Sequence, residues 1–160
     1  MWSRVPDPMI RLTARLDQPA STETSVTLTL DQRARSRLRV TLDDGREAGI
    51  FLARGESLKD GDCLISEEGV RVLVKAASEP VSTVRSRDSQ LLARACYHLG
   101  NRHVALQIEP GRLSYLQDSV LDEMVCGLGL EVVREDAPFE PEPGAYGGSV
   151  HSHGHRHSDH

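Results

Sequence analysis

Residues 89–133, SQLLARACYHLGNRHVALQIEPGRLSYLQDSVLDEMVCGLGLEVV, switch repeatedly between two hydrophobic periods and so set the order of elements in this half of the chain. Leu91, Leu92, Ala95 and Leu99 fall within an arc of about 100° at 100° per residue, which predicts a helix over 89–99. Gly100-Asn101 supplies its C-terminal stop. Val104, Leu106 and Ile108 then alternate as a strand, Pro110-Gly111 turns the chain, and Leu113 and Tyr115 mark a second short strand. Asp118 or Ser119 can cap another helix, in which Val120, Leu121, Met124, Val125 and Leu128 share one apolar face and which Gly127 and Gly129 end. With an opening strand over 81–85 and a closing one over 130–133, the order is β-α-β-β-α-β, the ferredoxin-like split βαβ.

Upstream, from residue 10 to 77, the signal changes to period-two alternation. Val26, Leu28 and Leu30 are separated by threonines, and the pattern recurs in Leu38, Val40 and Leu42 and in Val70, Val72 and Val74. These runs predict half-buried antiparallel strands in a small all-β domain, with turns at Asp43-Asp44-Gly45, Asp60-Gly61-Asp62 and Glu67-Glu68-Gly69. The alternation stops at Lys75-Ala76-Ala77-Ser78-Glu79-Pro80, where Pro80 favours an extended predecessor and suits a linker. Downstream of Arg134 the sequence is rich in Pro and Gly with little apolar periodicity, which predicts a docked extended segment and then a disordered tail. The expected chain is thus α+β: an N-terminal β domain over 1–76, a ferredoxin-like domain over 80–146 and a His-rich tail over 147–160.

Composition excludes several classes of function. A net charge of −5 does not suit a sequence-independent grip on nucleic acid, which needs clustered Lys and Arg to displace counterions. Pro6 and Pro8 interrupt the place where a signal peptide would need its apolar segment, and nothing later approaches the roughly 18 apolar residues of a membrane span. Cys63, Cys96 and Cys126 form no CxxC pair, so reduced thiols in the cytoplasm are expected rather than a disulfide framework. With 4% aromatic residues the core must be aliphatic and modest, which makes an oligomer plausible.

The chemistry is concentrated in histidine. His151, His153, His155, His157 and His160 crowd the last ten residues, and neutral imidazole is a good ligand for nickel, copper and zinc. Engineered tags repeat His without the Gly, Ser, Arg and Asp found between these. Only His98 and His103 lie outside the tail. His98 sits at the edge of the first helix's apolar arc and reads as a packing or surface residue. His103 follows the helix stop at the mouth of a loop, where a side chain can project from a rigid base. One imidazole cannot hold a transition metal tightly. A twofold dimer would bring two His103 side chains to one ion, with tail histidines closing the shell. Cys96 reads as core and Cys126 as an exposed thiol. No paired carboxylate, nucleophile motif or HExxH helix accompanies His103, so an enzyme is not expected.

Several phrases together resemble the urease accessory protein E family: Tyr97-His98-Leu99-Gly100-Asn101-Arg102-His103, Val120-Leu121-Asp122-Glu123-Met124, Gly127-Leu128-Gly129-Leu130, and Pro138-Phe139-Glu140-Pro141-Glu142 with Gly144-Ala145-Tyr146. The resemblance runs from about Met9 to the tail. It implies a homodimer formed through the second domain, with the histidine of the GNRH motif, here His103, as a nickel ligand at the dimer interface. It further implies a nickel metallochaperone for urease metallocentre assembly, partnered by an accessory GTPase and the urease apoprotein complex, with zinc or copper able to bind in vitro. Some members carry histidines flanking an aspartate before the second helix; this chain has Gln117-Asp118-Ser119, so a peripheral site there is not expected. No GxxxxGK[ST] loop is present, so nucleotide hydrolysis would belong to the partner. The rival reading is a general nickel, copper or zinc buffer or storage protein in which the tail alone is functional.

Overall fold

The computed structural model describes residues 9–18 and 20–144. Ten strands and three helices follow in the order β1 (Ile10–Leu16), β2 (Thr24–Leu28), α1 (Leu30–Arg33), β3 (Arg37–Thr41), β4 (Glu47–Phe51), β5 (Cys63–Ser66), β6 (Arg71–Ala76), β7 (Ser78–Arg85), α2 (Ser89–Asn101), β8 (Gln107–Glu109), β9 (Arg112–Leu116), α3 (Ser119–Gly127) and β10 (Val133–Pro138). The chain is therefore mixed α+β, mostly strands, in two domains.

The first domain is a six-stranded sheet in the order β2-β6-β5-β1-β4-β3. Alternation places Val26 and Leu28 of β2 and Val72 and Val74 of β6 on its buried face, with Val26 opposite Val74 in register. They share one aliphatic cluster with Leu12, Val40, Ile50 and Leu64. At the hairpin between β3 and β4, Gly45 takes φ 93°, which only a residue without Cβ adopts at no steric cost. Two expectations for this half are corrected. The strands are not all antiparallel, because β1 runs parallel to β4 and β2 parallel to β6; alternation reports burial of one face and carries no information about a partner's direction. Nor is the domain all-β. Leu30 leaves the alternating run to open α1, one helical turn nucleated by a capping box in which Thr29 accepts from Gln32 N and the Gln32 side chain accepts from Thr29 N.

The second domain has the element order β-α-β-β-α-β and an antiparallel sheet ordered β10-β7-β9-β8. Ala95 and Leu99 of α2 and Leu121 and Val125 of α3 pack with Val84, Leu113 and Tyr115 of the sheet. Burying a leucine such as Leu99 completely is worth about 1.5–3 kcal/mol.

Four boundaries differ from expectation. The strand read from Val104, Leu106 and Ile108 is confined to Gln107–Glu109, so Val104 and Leu106 precede it. The linker shrinks to Ala77, since β6 ends at Ala76 and β7 begins at Ser78. Pro80 is tolerated inside β7 because β9 pairs only from Val81 onward. The closing strand is Val133–Pro138 rather than 130–133, and Leu130 belongs to the core below α3. That strand is largely polar and lacks an apolar period; a continuous six-residue pairing with β7 defines it. Helix α2 runs through Gly100 and Asn101 and ends two residues later than predicted.

Candidate metal centre

The end of α2 positions His103. Leu99, fully buried, anchors the last turn, and three backbone bonds close it: Arg102 N donates to Leu99 O at 3.1 Å, His103 N to Gly100 O at 3.0 Å, and Val104 N to Leu99 O at 3.3 Å. The last two bonds form a Schellman motif, with Arg102 as the cap and Val104 packing on the core that holds Leu99. The position after the cap must then adopt the left-handed conformation, and it is His103, at φ 57°. Glycine usually fills this position, because an L-residue there is disfavoured by about 1–2 kcal/mol. His103 is the one non-glycine residue at positive φ among the described residues. Its side chain is exposed, so packing does not explain its presence.

Sequence reasoning put the helix stop at Gly100-Asn101 because those residues favour left-handed conformations. The better signal was the apolar pair Leu99 and Val104, which brackets the Schellman turn.

Around His103 the described residues of the chain offer little else. Among the described residues no group of three or more His, Cys, Asp or Glu side chains could hold an ion. His98 is exposed on α2 and meets the Tyr97 ring edge-on at 5.2 Å. Cys63 is buried, and burial pushes the thiol of half-buried Cys96 up, which disfavours the thiolate a metal requires. Cys126 is exposed on α3. Asp118 is engaged as the cap of α3, accepting from Val120 N at 2.9 Å and Leu121 N at 3.2 Å. His151, His153, His155, His157 and His160 lie outside the described residues.

Elsewhere in the second domain a polar network links β9, α3 and β10. The Tyr115 hydroxyl of β9 donates to Asp122 Oδ1 at 2.6 Å, and Arg134 of β10 reaches Asp122 Oδ2 from Nη2 at 2.9 Å. Burial pushes the Asp122 carboxyl up, but the Tyr115 bond and the Arg134 guanidinium outweigh it and hold it below the usual aspartate range. Burial and the neighbouring carboxylate both raise Tyr115. Ser82, opposite Tyr115 in register, is fully buried.

Known proteins match this chain along nearly its whole length. The family model for the N-terminal domain of the UreE urease accessory protein matches residues 9–77, and that for its C-terminal domain matches residues 79–160. The urease accessory protein UreE of Alkalilimnicola ehrlichii is 61% identical over 140 residues, covering 88% of this chain and 86% of that protein. The protein of the same name from Pseudomonas putida is 59% identical over 145 residues, covering 90% of each, and that from Escherichia coli O157:H7 is 53% identical over 148 residues, covering 92% and 96%. All are named as accessory proteins rather than enzymes, in accord with the reading that excluded an enzyme. With family models spanning both halves of its sequence and relatives more than half identical across most of its length, this chain belongs to the UreE urease accessory protein family.

Proposed function

We propose that the protein is a nickel metallochaperone for urease maturation. It acts in the cytoplasm as a homodimer through its second domain, which we read as ferredoxin-like and spanning residues 80–146, after a β domain over 1–76. His103 from both protomers shares one nickel ion, and His151, His153, His155, His157 and His160 of the tail over 147–160 supply further ligands. The ion is cargo: it passes by ligand exchange to the accessory GTPase and the urease apoprotein complex, with no bond-making step. Zinc and copper occupy the same imidazoles in vitro, since affinity alone favours copper over nickel at a nitrogen site.

The observation that carries this reading is the conformation of His103. An exposed imidazole is held where the backbone suits glycine, and no ligand set accompanies it in its own protomer among the described residues. Strain retained at an exposed side chain points to a use for that side chain. A twofold contact then supplies the second ligand, because an isologous interface repeats each residue across its axis.

The test is calorimetric nickel titration with mass measurement of the oligomer, on chains whose five tail histidines are replaced by glutamine. One tight nickel per dimer is expected, and His103→Ala should remove it while leaving the dimer intact. Tight binding that survives His103→Ala, or one tight nickel per monomer, would overturn the shared site.

A further inference from the structure

The outer face of the first sheet gathers positive charge that the chain as a whole lacks. The chain carries a net charge of −5, yet Arg11 of β1, Arg37 and Arg39 of β3, Arg35 ahead of β3 and Arg54 after β4 are all exposed. Register places three of them on one side. Arg11 pairs with Gly49, Gly49 with Arg39, and Arg37 with Phe51, and residues directly opposite one another project from the same face of a sheet. The core takes the other face, through Leu12, Val40, Ala48 and Ile50.

Phe51 levels the outer face. Its ring lies against Gly49, where a Cβ would stand 2.6 Å from the ring's Cε2, so only glycine lets the ring rest on the strand. The Arg11 guanidinium stacks over the same ring, 4.5 Å from its centroid. Just past Phe51, Leu52 N donates to Ser36 O at 2.8 Å, and residues 34–37 and 52–55 line a cleft of about 750 Å³ that includes Arg35, Arg37 and Arg54. Few of these guanidiniums are matched. Arg35 pairs with Asp31 at 2.8 Å and Arg39 with Glu47 at 3.3 Å, while Arg11, Arg37 and Arg54 have no carboxylate at ion-pair distance among the described residues. Carboxylates outnumber Lys and Arg in the chain by 24 to 19, so the shortage is local to this face.

We propose that the cleft and the arginine face beside it dock a carboxylate-rich stretch of a partner protein. The planar fork of arginine engages a carboxylate through two parallel hydrogen bonds, and arginine beside an exposed aromatic is the composition of protein contact surfaces. Two features favour a polypeptide over a small anion. The cations extend from the cleft across β4 to Arg11 instead of converging on one point, and the cleft walls include Ala34 and Ala53, apolar surface that a side chain covers and a phosphate does not. The chain's overall charge disfavours a nucleic acid. Docking here gives the first domain a task separate from metal binding in the second.

The test uses octaglutamate as the probe on the full chain. Amide NMR shifts locate binding, and titration at low ionic strength, where exposed charges are least screened, gives Kd. Shifts should cluster at residues 34–39 and 49–55. Arg37→Glu combined with Arg54→Glu should weaken binding at least about tenfold. Arg87→Glu combined with Arg94→Glu changes net charge equally at exposed arginines of the second domain, and should weaken it less than about twofold. Equal loss in both pairs would reduce binding to a response to net charge and overturn the proposal. So would shifts elsewhere, no binding of octaglutamate, or an unchanged Kd in the first pair. Should that pair fail to fold, Arg37→Gln combined with Arg54→Gln decides alone, with a loss of at least about threefold expected. Two further outcomes would replace the occupant and overturn the proposal. Tripolyphosphate or a single-stranded oligonucleotide binding the cleft more tightly than octaglutamate would assign it to phosphate, and an oligomer that dissociates in the first pair while octaglutamate fails to bind the unaltered chain would assign it to a second copy of this chain.

Discussion

The backbone N–H of His103 donates to the carbonyl of Gly100 at 3.0 Å, closing the turn that forces His103 to φ 57°. The imidazole is thus displayed by backbone geometry rather than held by side-chain packing, and its position depends on the helix that precedes it. With His103 as the proposed nickel ligand, function and local stability oppose one another at this residue.

Replacing His103 by glycine should therefore stabilise the metal-free protein while destroying the site. Relief of the left-handed penalty outweighs the added entropy of the unfolded chain, for a net gain of about 0.5–1 kcal/mol. Differential scanning calorimetry of the apo protein should show a rise in Tm. A fall would mean that the imidazole contributes packing that its exposure does not suggest.

Leu99 carries the same turn from below. Leu99→Ala removes a fully buried side chain from the core of the second domain and should cost about 2–5 kcal/mol in denaturant unfolding. Because Leu99 also accepts the closing bond from Val104, the geometry of the His103 loop should loosen, with faster exchange at the Val104 amide than at Leu113 in the sheet. Equal acceleration at both amides would indicate global rather than local loss.

Asp122 should make the fold sensitive to acid. Its carboxyl lies below the ordinary range in the folded state, so its stabilisation is complete above the unfolded value of about 3.9 and is lost as pH falls through the lower folded value. Asp122→Asn keeps the shape but not the charge opposite Arg134, and should lower stability near neutrality by about 2 kcal/mol. Stability measured from pH 7 to pH 2 should fall less steeply at the acid end in the variant. An unchanged slope would show that other carboxylates control acid unfolding.

The tail should add capacity rather than define the tight site. With all five tail histidines changed to glutamine, nickel per dimer should drop while the tightest site remains. Bound nickel on the native chain should decline between about pH 7 and 5, where free imidazole protonates. Binding that stays flat across that window would assign the shell to carboxylates or backbone groups.

Much of the second domain was legible because its elements are short-range statements. The apolar arc of α2, the alternation of β9 and the cap of α3, read as Asp118 or Ser119 and found at Asp118, each depend on residues within one or two turns of chain, and each formed within two residues of where the pattern placed it. The parallel pairing of β2 with β6 and of β1 with β4 was not legible, since hydrophobic period is blind to partner and direction. Strand β10 was missed for a related reason: its residues are mostly polar, and only the waiting edge of β7 makes them a strand.

For the candidate site, the sequence alone determined which side chain to consider, because only two histidines precede the tail and one follows a helix end, and its motifs carried the family. Tertiary structure decided how that side chain is presented. Burial of Leu99 and Val104 against the second core selects the turn that drives His103 into the left-handed region, a cost that local preference would have assigned to Gly100 or Asn101. It also decided that Arg33 and Glu140, 107 residues apart, meet. No local pattern encodes such a pairing, since its energy arises only once the folded chain brings a buried guanidinium to a partly exposed carboxylate.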